Sequence, residues 1–301
     1  MKRPPKILVV IGPTASGKSD LAVKIAKKFN GEIVSADSRQ VYRGMDIGTA
    51  KPSKKEMTAV EHHLIDIRDP DQDYSAGQYK KDAVGAIDRI IKSGKLPILV
   101  GGTGLYVDAV VKNLEFPEIK EDKKLRARLE EEINENGLGY VFKRLVNLDP
   151  EAVYIVDPKN PRRIIRALEI ALLSSKRFSE QRRSGKPFYN ALEIGINLPS
   201  ELLKRRIAKR IKQMIKEGLV EEVKNLVKKH GPDCKVFDAI GYREIIDYLK
   251  EKISLSEAIE QINKNTRQYA KRQMAWFRRN QEIKWVKNYK EALLLFRRAG
   301  F

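Results

Sequence analysis

Ile7-Leu8-Val9-Val10-Ile11-Gly12-Pro13-Thr14-Ala15-Ser16-Gly17-Lys18-Ser19 runs an unbroken apolar stretch into a G-x-x-x-x-G-K-S loop, and Asp20 to Phe29 continues with helical periodicity. Strand, loop and helix in that order are the context this motif requires. The glycines let backbone N–H groups turn inward, the helix presents its positive N-terminus, and Lys18 adds a full charge. Gly12, Pro13, Thr14, Ala15, Ser16, Gly17, Lys18 and Ser19 therefore read as a cradle for two linked phosphates. The Ser19 hydroxyl is the expected ligand of a Mg²⁺ bridging them. The loop alone does not say which diphosphate it holds, or whether a phosphoryl group moves.

Working outward, Gly31 to Ala36 reads as a second strand that ends in Asp37-Ser38-Arg39-Gln40. Ligands of parallel sheets bind beyond the carboxyl ends of the strands, so Asp37 is placed to face whatever the loop holds. It is a candidate general base, a Mg²⁺ ligand or the cap of the next turn. Glu61 to Ile67 reads as another buried strand, Ser75 to Lys92 as an amphipathic helix, and Leu96 to Val100 as a strand ending in Gly101-Gly102-Thr103-Gly104. His62 and His63 read as structural, and Thr103 as a helix N-cap. Alternation of this kind predicts an α/β, P-loop NTPase-like, doubly wound parallel sheet.

From about Phe116 to Pro187 the pattern is helical, over Asp122–Asn134, Leu138–Val146 and Arg162–Ser174, with Lys176 to Lys186 as a flexible basic loop. The expected organisation is a core built from residues 1–115 and 189–301, interrupted by an all-helical domain at 116–188. Leu192 to Leu198 alternates as a strand able to return the chain to the first sheet. Glu201 to His230 carries ten Lys or Arg against four Glu, around a stripe of Leu203, Ile207, Ile211, Met214 and Ile215. Arg206 and Arg210, one helical turn apart, can present two guanidiniums to one phosphate group. A last long helix spans Ser256–Asn280, where Arg267 to Arg279 mixes cations with aromatics. That mixture fits a nucleic-acid face and a core helix equally.

Charge sharpens the question of partner. The 301 residues carry a formal net charge of +20, and residues 200–301 alone hold 25 basic against 13 acidic side chains. A polyanion is the partner this balance points to, the bland alternative being a solvated basic surface. One cysteine, Cys234, and three histidines leave no disulfide and no zinc-type ligand set. The basic start, Met1 to Pro5, precedes an apolar run too short for a signal peptide, and no stretch approaches a membrane span, so a cytoplasmic protein is expected.

Taken together, GPTASGKS at Gly12–Ser19, DSRQVYRGMDIGTAKP at Asp37–Pro52, HLID at His63–Asp66, VGGTGLY at Val100–Tyr106, NPRRIIRALE at Asn160–Glu169, AIGYR at Ala239–Arg243 and QYAKRQMAWFR at Gln268–Arg278 resemble the bacterial tRNA dimethylallyltransferases over nearly the whole chain. The resemblance implies transfer of a dimethylallyl group from dimethylallyl diphosphate to N6 of the adenine at position 37 of tRNA, with Mg²⁺ required. It implies a P-loop core and a helical insertion that grip the anticodon stem-loop, in an enzyme expected to be a monomer. The diphosphate would lie on Thr14 to Ser19, held by Lys18 and an arginine of the basic helix, Arg210, with Asp37 as general base. Contacts to tRNA are implied for Asp37, Ser38, Arg39, Gln40, Thr103, Arg126, Arg162, Arg163, Ile164, Ile165, Arg166, Asp238, Ala239, Ile240, Gly241, Tyr242 and Arg243. Arg162 departs from the family pattern, where glutamine is expected. Two other enzymes share the loop: an adenylate isopentenyltransferase, whose small acceptor the charge and the insertion argue against, and a small-molecule kinase, against which this chain shows no second Mg²⁺-binding aspartate, Leu99-Val100 running into Gly101-Gly102. A non-catalytic RNA-binding NTPase module is a further possibility.

Overall fold

A computed structural model describes residues 4–117, 119, 121–174, 177–180 and 184–300. The chain divides into two compact units, residues 1–111 with 188–301, and residues 112–187.

In the first unit, β1 (Lys6–Ile11) leads through the phosphate loop into α1 (Lys18–Lys28) and β2 (Gly31–Ala36). Next come α2 (Lys54–Ala59), β3 (His62–His63), α3 (Ala76–Lys92), β4 (Leu96–Gly101) and α4 (Gly104–Val111). The second unit holds α5 (Lys123–Asn136), α6 (Leu138–Leu148), α7 (Ala152–Ile155) and α8 (Pro161–Leu173). The chain then returns with β5 (Asn190–Ile196), α9 (Ser200–Lys216), α10 (Leu219–His230), α11 (Tyr242–Leu249), α12 (Leu255–Phe277), β6 (Lys284–Val286) and α13 (Tyr289–Arg298).

The six strands form one sheet in the order β3-β2-β4-β1-β5-β6, and every pairing is parallel. Strand β1 shows why its run is apolar throughout. Ile7, Val9 and Ile11 join one core with α3, α4 and Phe277, while Leu8 and Val10 join another with α1 and α13. Side chains alternate across a strand, so a central strand covered on both faces favours apolar residues at successive positions, as Ile7 to Ile11 are. A third core gathers α9 to α12 around Met45, Ile207, Ile211 and Tyr242. No described helix is long and apolar enough to cross a membrane.

Three expectations change. The strand read over Glu61–Ile67 is only two residues long, because Leu64 (φ 64°) and Asp66 (φ 56°) turn left-handed. The chain then lies on the loop after β2, with Ile67 and Arg68 N–H donating to Val41 O at 2.9 and 3.0 Å. The stretch Glu201–His230 is broken at Gly218 (φ 101°), a conformation that suits glycine, so two helices replace one. The helical unit begins at residue 112 instead of 116 and ends at 187. Its ends are tied by the Leu114–Ser184 bridge and by Asn113 Nδ2, which donates to Lys186 O at 2.9 Å.

Within that unit, Leu129, Val141, Leu145, Ile164 and Leu168 form a separate core. Helix α8 follows from its own sequence: Asn160 caps it by accepting from Arg163 N–H, and Pro161 occupies the first turn, where no N–H is needed. Lys176 and residues 181–183 of the basic loop lie outside the described residues.

Candidate active site

The carboxyl ends of β1, β2 and β4 meet at one cavity of about 110 Å³. Thr14, Ala15, Gly17, Lys18 and Ser19 form one side of it, with Asp37, Gln40, Arg210, Tyr269 and Gln273 around them. The loop is curled by left-handed backbone at Ala15 (φ 62°) and Gly17 (φ 93°). Gly17 is the N-cap residue of α1, and a Cβ there would also press on Arg206 Nη1 at 3.4 Å. Alternation of this kind turns successive N–H groups toward one point, the geometry of an anion nest. The Ser16 hydroxyl is buried without a hydrogen-bond partner. That hydroxyl packs beside Gly12 and does not line the cavity, so the loop's amides, not Ser16, face the space a phosphate would fill.

Positive charge converges on that nest. Lys18 is half-buried in the wall of the cavity, and desolvation lowers its pKa to about 8, with Asp37 pulling it back up and Arg210 pushing it further down. Arg210 is itself lowered by burial, and its Nη1 lies 3.3 Å from Thr14 Oγ1. Arg206, one turn earlier on α9, donates to Ser16 O at 3.0 Å. The two arginines thus approach the loop from the same helix, as their spacing predicts.

Asp37 closes the far side. Its Oδ1 accepts from Arg39 N–H at 2.9 Å and from Gln40 N–H at 3.4 Å, so one carboxylate oxygen holds the turn after β2. The role of turn cap is real, and it leaves the other oxygen for chemistry. Thr103 does not use its hydroxyl as an N-cap: Oγ1 accepts Ser38 N–H at 3.0 Å and pins the Asp37 turn to the glycine turn after β4. Those turns can touch only because position 101 is glycine, as a Cβ there would run into the Ala36 carbonyl. Tyr269 also reaches Thr103, and burial and the nearby Asp37 charge push its phenol up to about 12. Tyr106 stacks on Tyr79 with ring centroids 3.8 Å apart.

Gln40 fixes the opposite wall. It takes a hydrogen bond from Ser35 Oγ and donates to the carbonyls of Thr49 and Ala50 at 3.4 and 3.3 Å. The 46–48 backbone is held by Glu222, whose carboxylate accepts the N–H groups of Asp46, Ile47 and Gly48 at 3.0, 2.7 and 3.1 Å. Tyr242 OH donates to the same carboxylate at 2.7 Å.

The remaining expected RNA contacts divide by burial. Ile164 and Ile165 are buried in the helical unit, and Ala239 and Tyr242 in the α9–α12 core, so these side chains offer nothing to a large ligand. Each falls on the inward face of its own element. Arg126 is committed to its own unit, its Nε and Nη2 donating to the buried Glu169 carboxylate at 3.0 and 2.8 Å. Arg166 also pairs with Glu169 and donates to Ile119 O at 3.0 Å. Arg162, Arg163, Asp238 and Arg243 are exposed. Sequence reasoning missed Gln273, Tyr269 and Glu222, which lie far along the chain from the turns they hold.

The family model described as IPP transferase matches residues 40–280. The chain belongs to the IPP transferase family. Its relatives include the tRNA dimethylallyltransferase of Thermoanaerobacter sp. strain X514, 48% identical over 297 residues that span 95% of this chain and 94% of the relative. That of Geobacter sulfurreducens is 46% identical over 285 residues, 93% of this chain and 91% of the relative. Among solved structures, the full-length tRNA isopentenylpyrophosphate transferase of Bacillus halodurans matches with a TM-score of 0.73 and 40% identity, covering 99% of this chain and 96% of that one. A eukaryotic dimethylallyltransferase crystallised acting on tRNA matches with a TM-score of 0.79 and 29% identity, over 94% of this chain and 74% of that one. In this IPP transferase the cradle at residues 12–19 lies before the matched segment, while the turn at Gln40 and the helix carrying Gln273 lie within it.

Proposed function

We propose that this IPP transferase moves the dimethylallyl group of dimethylallyl diphosphate to N6 of the adenine at position 37 of tRNA, releasing diphosphate. The observation that carries the reading is the opposition, across one small cavity, of an anion cradle with Lys18 and Arg210 to the half-free carboxylate of Asp37. Here the phosphates are the leaving group. Loop amides, Lys18 and Arg210 stabilise the charge that grows on diphosphate as the carbon–oxygen bond breaks, and preorganised donors in a dry site are worth most at that moment. The adenine amine is a weak nucleophile, its lone pair spread into the ring. Asp37 takes its proton as the new carbon–nitrogen bond forms. To reach the cavity, the base leaves the anticodon-loop stack.

The residues fit a Mg²⁺-diphosphate. Ser19 lines the cavity beside Lys18, and Asp20 and Asp37 supply hard oxygen donors on its wall. Ser19 would hold the ion, which when bound neutralises diphosphate charge. The exposed Arg162, Arg163 and Arg243 serve the RNA backbone, with Ser38, Arg39 and Thr103 framing the base. The enzyme acts as a monomer in the cytoplasm.

The test is transfer of label from radiolabelled dimethylallyl diphosphate to unmodified tRNA with Mg²⁺, AMP competing as acceptor. Label on the tRNA adenine supports the reading. Label on AMP alone, or consumption of ATP without the prenyl donor, overturns it in favour of an adenylate isopentenyltransferase or a kinase.

A further inference from the structure

Gln273 is a buried polar residue that neither the motif nor the reaction accounts for. It sits on the inward face of α12, only 6% exposed, between Ala270 and Phe277, and its side-chain amide reaches into the phosphate loop. Oε1 accepts Thr14 N–H at 2.8 Å, and Nε2 donates to Gly102 O at 2.9 Å. Both ends are therefore committed, and the orientation is fixed. A flipped amide would set its NH₂ against the Thr14 N–H and its oxygen against the Gly102 carbonyl. The close fit is also why residue 102 is glycine, since a Cβ there would overlap Nε2.

The consequence concerns how many phosphates the loop can hold. A loop of this motif cradles two phosphates in its backbone amides, and its lysine reaches toward a third when the ligand is a nucleoside triphosphate. Amides from Ala15 to Ser19 adjoin the N-terminus of α1. Thr14 stands at the other end of the loop and lines the cavity together with Asp37, Gly101 and Gln273. A third phosphoryl group projecting that way needs donors for its added charge. Instead, the donor there is already spent on a glutamine carbonyl, and any phosphoryl oxygen seeking the Thr14 N–H would have to occupy the space of Oε1.

We propose that Gln273 is a specificity-determining residue, which fits this loop to diphosphate esters and excludes nucleoside triphosphates by taking the Thr14 N–H out of the site. The assignment rests on the reading of the cavity as a diphosphate-ester site, and names the residue that makes it so. It also gives a reason why a P-loop in a cell rich in ATP stays available to a scarcer prenyl donor.

The experiment measures binding of inorganic diphosphate and of ATP by titration calorimetry with Mg²⁺, on the full chain without tRNA, for the wild type, Gln273→Met and Gln273→Ala. Methionine keeps the length of the side chain and removes the acceptor, so it guards against a cavity-driven failure of the alanine variant to fold. The wild type is expected to prefer diphosphate. In either variant the ratio of ATP to diphosphate affinity should rise at least tenfold. Gln273→Glu, which still accepts the Thr14 N–H, should keep the wild-type exclusion of ATP while binding both ligands more weakly. A residue that merely braces α12 would weaken both ligands alike. An unchanged ratio in folded Gln273→Met, or a wild type that binds ATP as tightly as diphosphate, overturns the proposal. A wild type that prefers diphosphate, loses that preference in Gln273→Met, yet prenylates no tRNA supports Gln273 while overturning the acceptor.

Discussion

Asp37→Asn separates the turn cap that the Asp37 side chain forms from the general base proposed for it. In the folded protein Oδ1 holds Arg39 N–H at 2.9 Å, and an asparagine carbonyl in the same rotamer can hold it as well. What is lost is the second, basic oxygen. General base catalysis is worth roughly 10²–10⁴-fold, or about 3–5 kcal/mol of barrier at about 1.4 kcal/mol per tenfold. The kcat for prenyl transfer to tRNA should fall within that range, while tRNA affinity measured by filter binding stays within about threefold and thermal stability is unchanged. Asp37→Ala removes the cap too. Its turn loses about 1 kcal/mol and the melting temperature drops by roughly 2–4 °C, with the same loss of kcat. The amide carries a second signature. Asp37 raises the Lys18 pKa toward about 8, so its neutralisation lowers it. An Asp37→Asn protein that keeps more than about a third of wild-type kcat, or loses tRNA binding in step with kcat, would refute the division between cap and base.

Other consequences are as direct. Lys18 is cationic below about 8 and neutral above, so kcat/KM for the donor should decline as pH rises through about 8, the midpoint moving downward in Asp37→Asn; a profile with no decline up to about pH 9.5 would show that Lys18 does not carry the charge. Glu222→Ala strips one carboxylate from three backbone amides and the Tyr242 hydroxyl, at a cost of about 2–4 kcal/mol for a partly exposed site. Tyr242→Phe should cost about 1 kcal/mol and add nothing to Glu222→Ala in a urea-denaturation double-mutant cycle; additive losses would mean the two do not share one hydrogen bond. In the helical unit, burial alone would raise the Glu169 carboxyl, but hydrogen bonds from Arg126, Arg166 and the Asp122 amide outweigh it and hold it below the ordinary range. Its stabilisation is therefore fully present above pH about 4.5 and is lost as pH falls through the depressed value. Glu169→Gln leaves Arg166 without this counter-ion and Arg126 with Glu121 alone, and should destabilise this unit by about 3 kcal/mol, read as hydrogen exchange faster in α5 and α8 than in β1.

How much of this could be read beforehand depends on how far each contact reaches along the chain. The phosphate cradle is local: strand, glycines, lysine and helix lie within one short stretch, and backbone geometry follows from residue type. The parallel sheet is likewise written in β1, whose apolar positions serve two cores at once. The strand at Glu61–Ile67 failed because left-handed turns at Leu64 and Asp66 are set by the pairing of Ile67 and Arg68 with Val41, which no local pattern displays. The same reason hid Gln273. In QYAKRQMAWFR the charge pattern is compatible with an RNA face or a core helix, and the structure assigns Ala270, Gln273 and Phe277 to the inward face. The bond from Gln273 to Thr14 then joins residues 259 positions apart. The arginines show the opposite limit, since basic residues in a family motif read alike whether they face phosphate or a buried glutamate. Arg126 and Arg166 spend their charge on Glu169, whereas Arg206 and Arg210 spend theirs on the phosphate loop. Net charge therefore overstates what is available to RNA, and the arginines that reach the Gly12–Ser19 loop belong to the very helix whose composition made the chain look like an RNA binder.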